Sequence, residues 1–420
     1  MPTIADVSAI PTAGGFYFDD KEAITRNATA DGFSYTGQPV TDGFSRVRQP
    51  AEALSIVIEL DNGRYGIGDC AAVQYSGFGG RDSFFDAQTH ADLVESTLSD
   101  ALVGRDAGNF TDNVAAIQDS TESGDPLHTA VRYGFSQALL AAAAEAHSTT
   151  MTEVILDEYG LSQTLEPVPI FTQTGDSRRR NAEKMILKGV PVLPHGLFNS
   201  VEKTGRGGER LLEYLSWLSD RVAELGAPGY EPVFHVDVYG TIGEIFGPPY
   251  GRPEVVEYFA ALHEAAAPYT LQVESPIEAD SRGEQITVLG ALRDGLADAA
   301  VPVSIVADEW CNTYDDITAF VDADAVDVVQ IKTPDLGELT KSIAAVQYCE
   351  GTSTDAYLGG SCAETDVSAR VCTHVALATQ PIQLLARPGM GVDEAYMIVQ
   401  NEMTRTLNRI VTQDQQAALQ

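Results

Sequence analysis

Lysine is nearly missing from this 420-residue chain: six Lys stand beside 20 Arg, and together they face 61 acidic residues, leaving a formal charge of −35. So negative a chain is repelled by nucleic acid and by anionic membranes, which excludes both as partners. Cysteine is also sparse. The five Cys (Cys70, Cys311, Cys349, Cys362, Cys372) are odd in number and contain no Cys-x-x-Cys pair. Neither a disulfide framework nor a thiolate zinc site is expected, and reduced thiols suit a cytoplasmic protein. No basic stretch followed by an apolar one opens the chain, so no secretory signal is expected. Long apolar runs are lacking too: the nearest candidate for a membrane span, "ALLAAAAEAH", is broken by Glu145. The sequons at Asn27 and Asn109 are then chance matches.

What is present is a chain 44% hydrophobic, enough for a sizeable core and long enough for two domains. The acidic residues run through its whole length and arginine replaces lysine. Both features fit adaptation to high salt, where screening removes self-repulsion and carboxylates hold water.

Residues 54–68, "LSIVIELDNGRYGIG", alternate around Asn62-Gly63 and predict a hairpin. Helical patterns follow in "DAQTHADLVESTL" and in the alanine-rich "LHTAVRYGFSQALLAAAAEAH". Residues 1–165 therefore read as an N-terminal α+β domain, ending where "LEPVPIF" places two prolines. In 166–420 the texture changes. Eight short apolar runs alternate with helix-like segments such as "GERLLEYLSWLSDRVAEL", which predicts an α/β fold, a (β/α)₈ barrel. Pattern alone leaves an open doubly wound sheet as the alternative. "TGDSRRRNAE" reads as a solvated basic loop, and "AYMIVQNEMTRTLNRIV" as a helix packing on the core.

Most of the runs end in a polar or ionisable residue: Gln173, His195, Asp237, Glu274, Asp308, Lys332, then Ser361 with Cys362. Successive gaps of 22, 42, 37, 34, 24 and 29 residues each suit one βα unit. A barrel gathers them at one mouth, where barrel active sites lie. Asp237, Glu274 and Asp308 on consecutive strands would repel one another strongly in a shared pocket. A hard divalent cation resolves that, and all-oxygen donors favour Mg²⁺ or Mn²⁺ over Zn²⁺. In "DVVQIKTPDLG", Gln330 and Lys332 fall on one face of a strand. A nearby cation and partial burial are expected to lower the Lys332 ammonium pKa, giving a neutral amine base. His195 would lie across the mouth. A base on either side of a carboxylate is suited to removing a proton from the adjacent carbon. Cys311 and Cys362 lack a paired histidine and are not expected to act as nucleophiles.

The stretches "VQYSGFGGRD", "KGVPVLPHG", "FHVDVYGTIG", "VESPIEAD", "ADEWCNT", "QIKTPDLG", "GGSCAETD" and "LLARPGMGVDE" resemble those of the methylaspartate ammonia-lyase family, within the enolase superfamily. The resemblance implies a TIM (β/α)₈ barrel with an N-terminal capping domain, a homodimer, Mg²⁺ dependence and activation by K⁺. It implies reversible elimination of ammonia from (2S,3S)-3-methylaspartate to mesaconate, an activity that serves the methylaspartate cycle in haloarchaea. Carried over by residue, Asp237, Glu274 and Asp308 look like the Mg²⁺ ligands and Lys332 like the base for the C3 proton. His195 looks like the contact to the C4 carboxylate that serves the opposite face, with Gln330 a second contact. Gln74, Gln173, Ser361 and Cys362 look like the partners of the C1 carboxylate and amino group, and Leu385 like the wall beside the methyl. The family usually has Thr where Ser361 stands; the hydroxyl is kept and a methyl is lost. The alternatives are an epimerase or dehydratase of the same superfamily, for which the second strand offers "LPHG" instead of a Lys-x-Lys, and a non-catalytic acidic binding protein.

Overall fold

The computed structural model describes residues 1–417 except 79, 119–120, 123–124 and 163; Gly79 of "VQYSGFGGRD" thus lies outside the described residues. An antiparallel sheet of three strands opens the chain, β1 (Ile4–Asp19), β2 (Arg48–Leu60) and β3 (Tyr65–Ala71), in the order β1-β2-β3. The predicted hairpin is β2–β3, with Gly63 at φ 80° in the turn. Alternation buries Leu54, Ile56, Ile58 and Leu60 against helix α1 (Thr129–His147). β1 was not foreseen. Pro11 and the Gly14-Gly15 pair interrupt any clean alternation, which an edge strand tolerates, and its register with β2 slips between Ala13 and Tyr17.

Gly15 is where this sheet meets the rest of the chain. Its N–H donates to the Ala363 carbonyl at 3.0 Å, and a Cβ there would stand 2.2 Å from the Glu364 carbonyl oxygen. Only a glycine allows that approach. Below it, Tyr133 of α1 donates to Glu364 Oε1 at 2.5 Å, and Arg387 lies 3.4 Å from the other Glu364 oxygen, all three side chains being buried. The 361–364 loop is thus held from both sides.

Eight parallel strands close a barrel in strict chain order: β4 (Ile170–Phe171), β5 (Val192–His195), β6 (Val233–Asp237), β7 (Leu271–Glu274), β8 (Val303–Ala307), β9 (Val328–Lys332), β10 (Asp355–Gly359) and β11 (Gln383–Leu385). The open-sheet alternative is thereby set aside. The strands are short and buried on both faces, as runs of Val, Leu and Ile require. "SRRRN" is not a loop but the start of helix α2 (Arg178–Lys188), because Ala182, Met185 and Ile186 give it a buried face. Arg178 and Arg179 stack on Phe198 and Trp217, each at 4.6 Å. The final helix, α3 (Asp393–Ala417), buries Val399 and Met403 as expected. Among the described residues no helix is long and apolar enough to cross a membrane.

Candidate active site

The C-terminal ends of the barrel strands carry the predicted residues to one cleft. Asp237 and Glu274 are direct partners in the β6–β7 register, and Asp308 follows the end of β8 by one residue. One ligand oxygen of each of these three carboxylates lies within 4.8 Å of the other two. His195 closes β5 with φ 66°, a strained conformation that turns its ring toward β6. Its Nε2 stands 3.4 Å from Asp237 Oδ2. Lys332 closes β9 and places Nζ 2.7 Å from Asp308 Oδ1.

Lys332 pairs with Asp308, but Asp237 and Glu274 are not compensated by their surroundings. Burial, reinforced by Glu274 and Asp308, pushes the Asp237 carboxyl well above the usual carboxylate range. Burial and Asp308 raise Glu274 to about 8. His195 brings no charge to offset this, since burial and then neighbouring His235 lower it to about 3 and keep the imidazole neutral. One ammonium facing three clustered acids leaves room for two more positive charges. A hard divalent cation fits this all-oxygen donor set in both charge and chemistry.

Lys332 departs from expectation. Burial, the largest single influence, pulls its pKa down, but Asp308, Asp335 and Glu309 together outweigh burial and Arg81, and the ammonium ends above its ordinary value. The expected lowering presumed a cation beside the amine; with carboxylates as its nearest charges the balance reverses.

Gln330 reaches into the same cluster. Its amide nitrogen donates to Glu274 Oε1 at 2.5 Å and to the Tyr357 hydroxyl. Its Oε1 is buried without a protein partner, as is His195 Nδ1.

The other predicted residues, Gln74, Gln173, Ser361, Cys362 and Leu385, all line the same cleft of about 420 Å³. Gln74 comes from the segment after β3. Its Nε2 donates to Asp19 at 2.7 Å and its Oε1 accepts from Cys362 Sγ at 3.2 Å. The N-terminal sheet therefore helps wall the cleft. Burial holds the Cys362 thiol near 12, so it is a neutral thiol and not a nucleophile.

Three contributors escaped sequence reasoning: Tyr357, whose hydroxyl lies 3.1 Å from both Glu274 oxygens; Glu309, half-buried in the cleft wall next to Asp308; and His235, with Nε2 2.6 Å from Glu274. Strand alternation could have found His235, which precedes Asp237 by two residues and shares its face.

Gly359 sits opposite Lys332 in the β9–β10 register. A Cβ there would lie 2.5 Å from Gln330 Cγ. Gly359→Ala is expected to displace Gln330 and to cost about 1–3 kcal/mol by overpacking. Thermal denaturation checks it, and an unchanged melting temperature would show that the site yields freely.

Comparisons with known proteins agree on one family. Family models described as methylaspartate ammonia-lyase N-terminus and C-terminus match residues 2–160 and 162–412. The chain is 59% identical to a methylaspartate ammonia-lyase from Haloarcula marismortui over 97% of each chain. Among solved structures it is similar to the Mg complex of β-methylaspartase from Clostridium tetanomorphum, with a TM-score of 0.94 and 46% identity over 98% of this chain and 100% of that one. It is similar also to a methylaspartate ammonia-lyase from Citrobacter amalonaticus containing (2S,3S)-3-methylaspartic acid, with a TM-score of 0.95 and 48% identity over 97% and 99% of the chains.

Proposed function

Because this chain belongs to the methylaspartate ammonia-lyase family, we propose that its barrel mouth removes ammonia from (2S,3S)-3-methylaspartate to leave mesaconate, using the residues that converge there. The chain is a carbon–nitrogen lyase on an α/β barrel. The observation that carries the assignment of roles is the convergence of three buried carboxylates with one amine 2.7 Å from the last of them.

The C3 proton of the substrate is weakly acidic because its loss puts a second negative charge on the adjoining C4 carboxylate. A divalent cation held by Asp237, Glu274 and Asp308 supplies positive charge against that build-up; Mg²⁺ is the ion of the related crystal structure, with Mn²⁺ as a substitute. Lys332 pairs with Asp308 in the ion-free protein; with a cation drawing on that carboxylate its ammonium would lose the pairing and deprotonate, and as the neutral amine it takes the C3 proton. Asp308 then faces the ammonium that forms and stabilises it. The electron pair left at C3 moves into the C2–C3 bond as the C2–N bond breaks and ammonia departs with its own pair. His195, neutral and with Nδ1 unpaired, contacts the C4 carboxylate and serves the opposite face. Gln330 gives that carboxylate its amide donor once Glu274 no longer draws it. Gln74, Gln173, Ser361 and Cys362 hold the C1 carboxylate and amino group, and Leu385 packs on the methyl.

The same reading takes residues 1–165 as a cap over the barrel of 166–420, the working unit as a homodimer, K⁺ as an activator and the cytoplasm as the setting. Five free cysteines support that last point. The test is an absorbance assay for mesaconate in high KCl. Mg²⁺ should support activity, EDTA should abolish it and added Mg²⁺ should restore it. Racemisation of the amino acid with no mesaconate would sink the proposal in favour of an epimerase.

A further inference from the structure

His235 lies in the middle of β6 with no exposed surface, two residues before Asp237 and on the same inward face. Its ring is clamped: Phe171 stacks on it at 4.2 Å and 20°. Its Nδ1 stands 2.7 Å from Gln383 Nε2, on β11 across the barrel. An amide nitrogen only donates, so Nδ1 must be the accepting nitrogen. In a neutral imidazole the proton is then on Nε2, and Nε2 lies 2.6 Å from Glu274 Oε2. The other Glu274 oxygen takes the amide of Gln330. In the ion-free protein Glu274 thus takes donors on both oxygens, from β6 and β9; the one from β6 is the one left in place when Gln330 turns to the substrate, and Gln383 decides which way it points.

We infer that His235, with its tautomer set by Gln383, is a positioning residue that fixes the orientation of the Glu274 carboxylate toward the cation site. The inference rests on the proposed placing of the divalent cation at Asp237, Glu274 and Asp308. Outer hydrogen-bond partners of this kind orient a ligand so that little freedom is left to lose on binding, and removing one typically weakens metal affinity about 10–100-fold. An ordinary buried His–Glu hydrogen bond would affect only fold stability.

Mg²⁺ titration calorimetry on the full chain separates the two. His235→Phe keeps the ring and its stack but removes the donor, and should weaken Mg²⁺ binding about 10–100-fold, with substrate KM at saturating Mg²⁺ little changed. His235→Gln, which can place an amide donor near the Nε2 position, should restore most of that affinity. Gln383→Glu is no clean probe, since a carboxylate would favour an imidazolium that still donates from Nε2; with glutamate the Nε2 donor and the Mg²⁺ affinity should both survive. Gln383→Leu instead removes the donor to Nδ1 and should weaken Mg²⁺ binding although His235 is untouched. Asp308→Asn is the control. If it weakens Mg²⁺ binding while His235→Phe and Gln383→Leu do not, the positioning role is wrong and the cation site stands. If Asp308→Asn also leaves binding unchanged, the cation site itself is misplaced and the inference falls with it. Should the His235 variants fail to fold, ¹⁵N spectra of the histidine-labelled native protein still decide: an Nε2–H imidazole supports the inference, and an Nδ1–H imidazole at His235 overturns it.

Discussion

Lys332→Ala is expected to lower turnover of (2S,3S)-3-methylaspartate by about 10²–10⁴-fold, the range that a positioned general base contributes. Mg²⁺ affinity should be kept, or should tighten. The reason lies in the pairing of Nζ with Asp308 Oδ1 at 2.7 Å: in the ion-free protein the ammonium competes for the carboxylate that a divalent cation needs. Removing that ammonium removes a like charge from beside the ion while leaving all three carboxylates in place. Turnover and metal binding should therefore move independently, or in opposite directions. Steady-state kinetics at saturating Mg²⁺, with calorimetric titration of the same variant, checks both parts. Loss of metal binding along with turnover would make Lys332 a structural counter-ion, and the proton would have to be taken by another group. His195→Ala should spare the (2S,3S) reaction more than Lys332→Ala does, because its imidazole is assigned to the opposite face.

Much of this site was legible because the barrel imposes a period on the chain. Asp237, Glu274, Asp308 and Lys332 each stand at or one residue beyond a strand end, and spacing of one βα unit is enough to bring them together once the sheet closes. What escaped was set by packing and charge, which spacing does not encode. The β1 edge strand carries Pro11 and two glycines, and its partner β2 and the 361–364 loop, both distant in sequence, hold it in place. The α2 helix was hidden by its three arginines, whose charge masked an apolar face of Ala182, Met185 and Ile186. The raised ammonium of Lys332 depends on which charge stands nearest, an outcome of rotamers and not of residue type. The −35 charge was read as salt adaptation, and the 59% identity with a Haloarcula protein agrees with it.

Glu274→Gln should separate stability from function with opposite signs. Glu274 rises from an ordinary 4.5 to about 8 in the folded, ion-free protein, through burial first and Asp308 second. A carboxyl raised in this direction binds its proton more tightly folded than unfolded. Its contribution is fully present below the unfolded pKa and is lost as pH climbs through the folded one. In EDTA the protein should therefore lose stability between about pH 4.5 and 8, by at most about 5 kcal/mol from this group. Glutamine keeps the shape and removes the titration. In EDTA at pH 8 the variant should melt above the native protein, and its stability should depend less on pH over that window. Adding Mg²⁺ reverses the order: ion at 100 times its Kd stabilises the native protein by about 2.7 kcal/mol but finds one ligand fewer in the variant, and activity is lost with it. Melting curves at pH 5 and pH 8, with and without Mg²⁺, supply the four numbers needed. A variant that melts below the native protein in EDTA at pH 8 would show that Glu274 is held ionised and paired by its neighbours, so that its charge is already offset before any cation arrives.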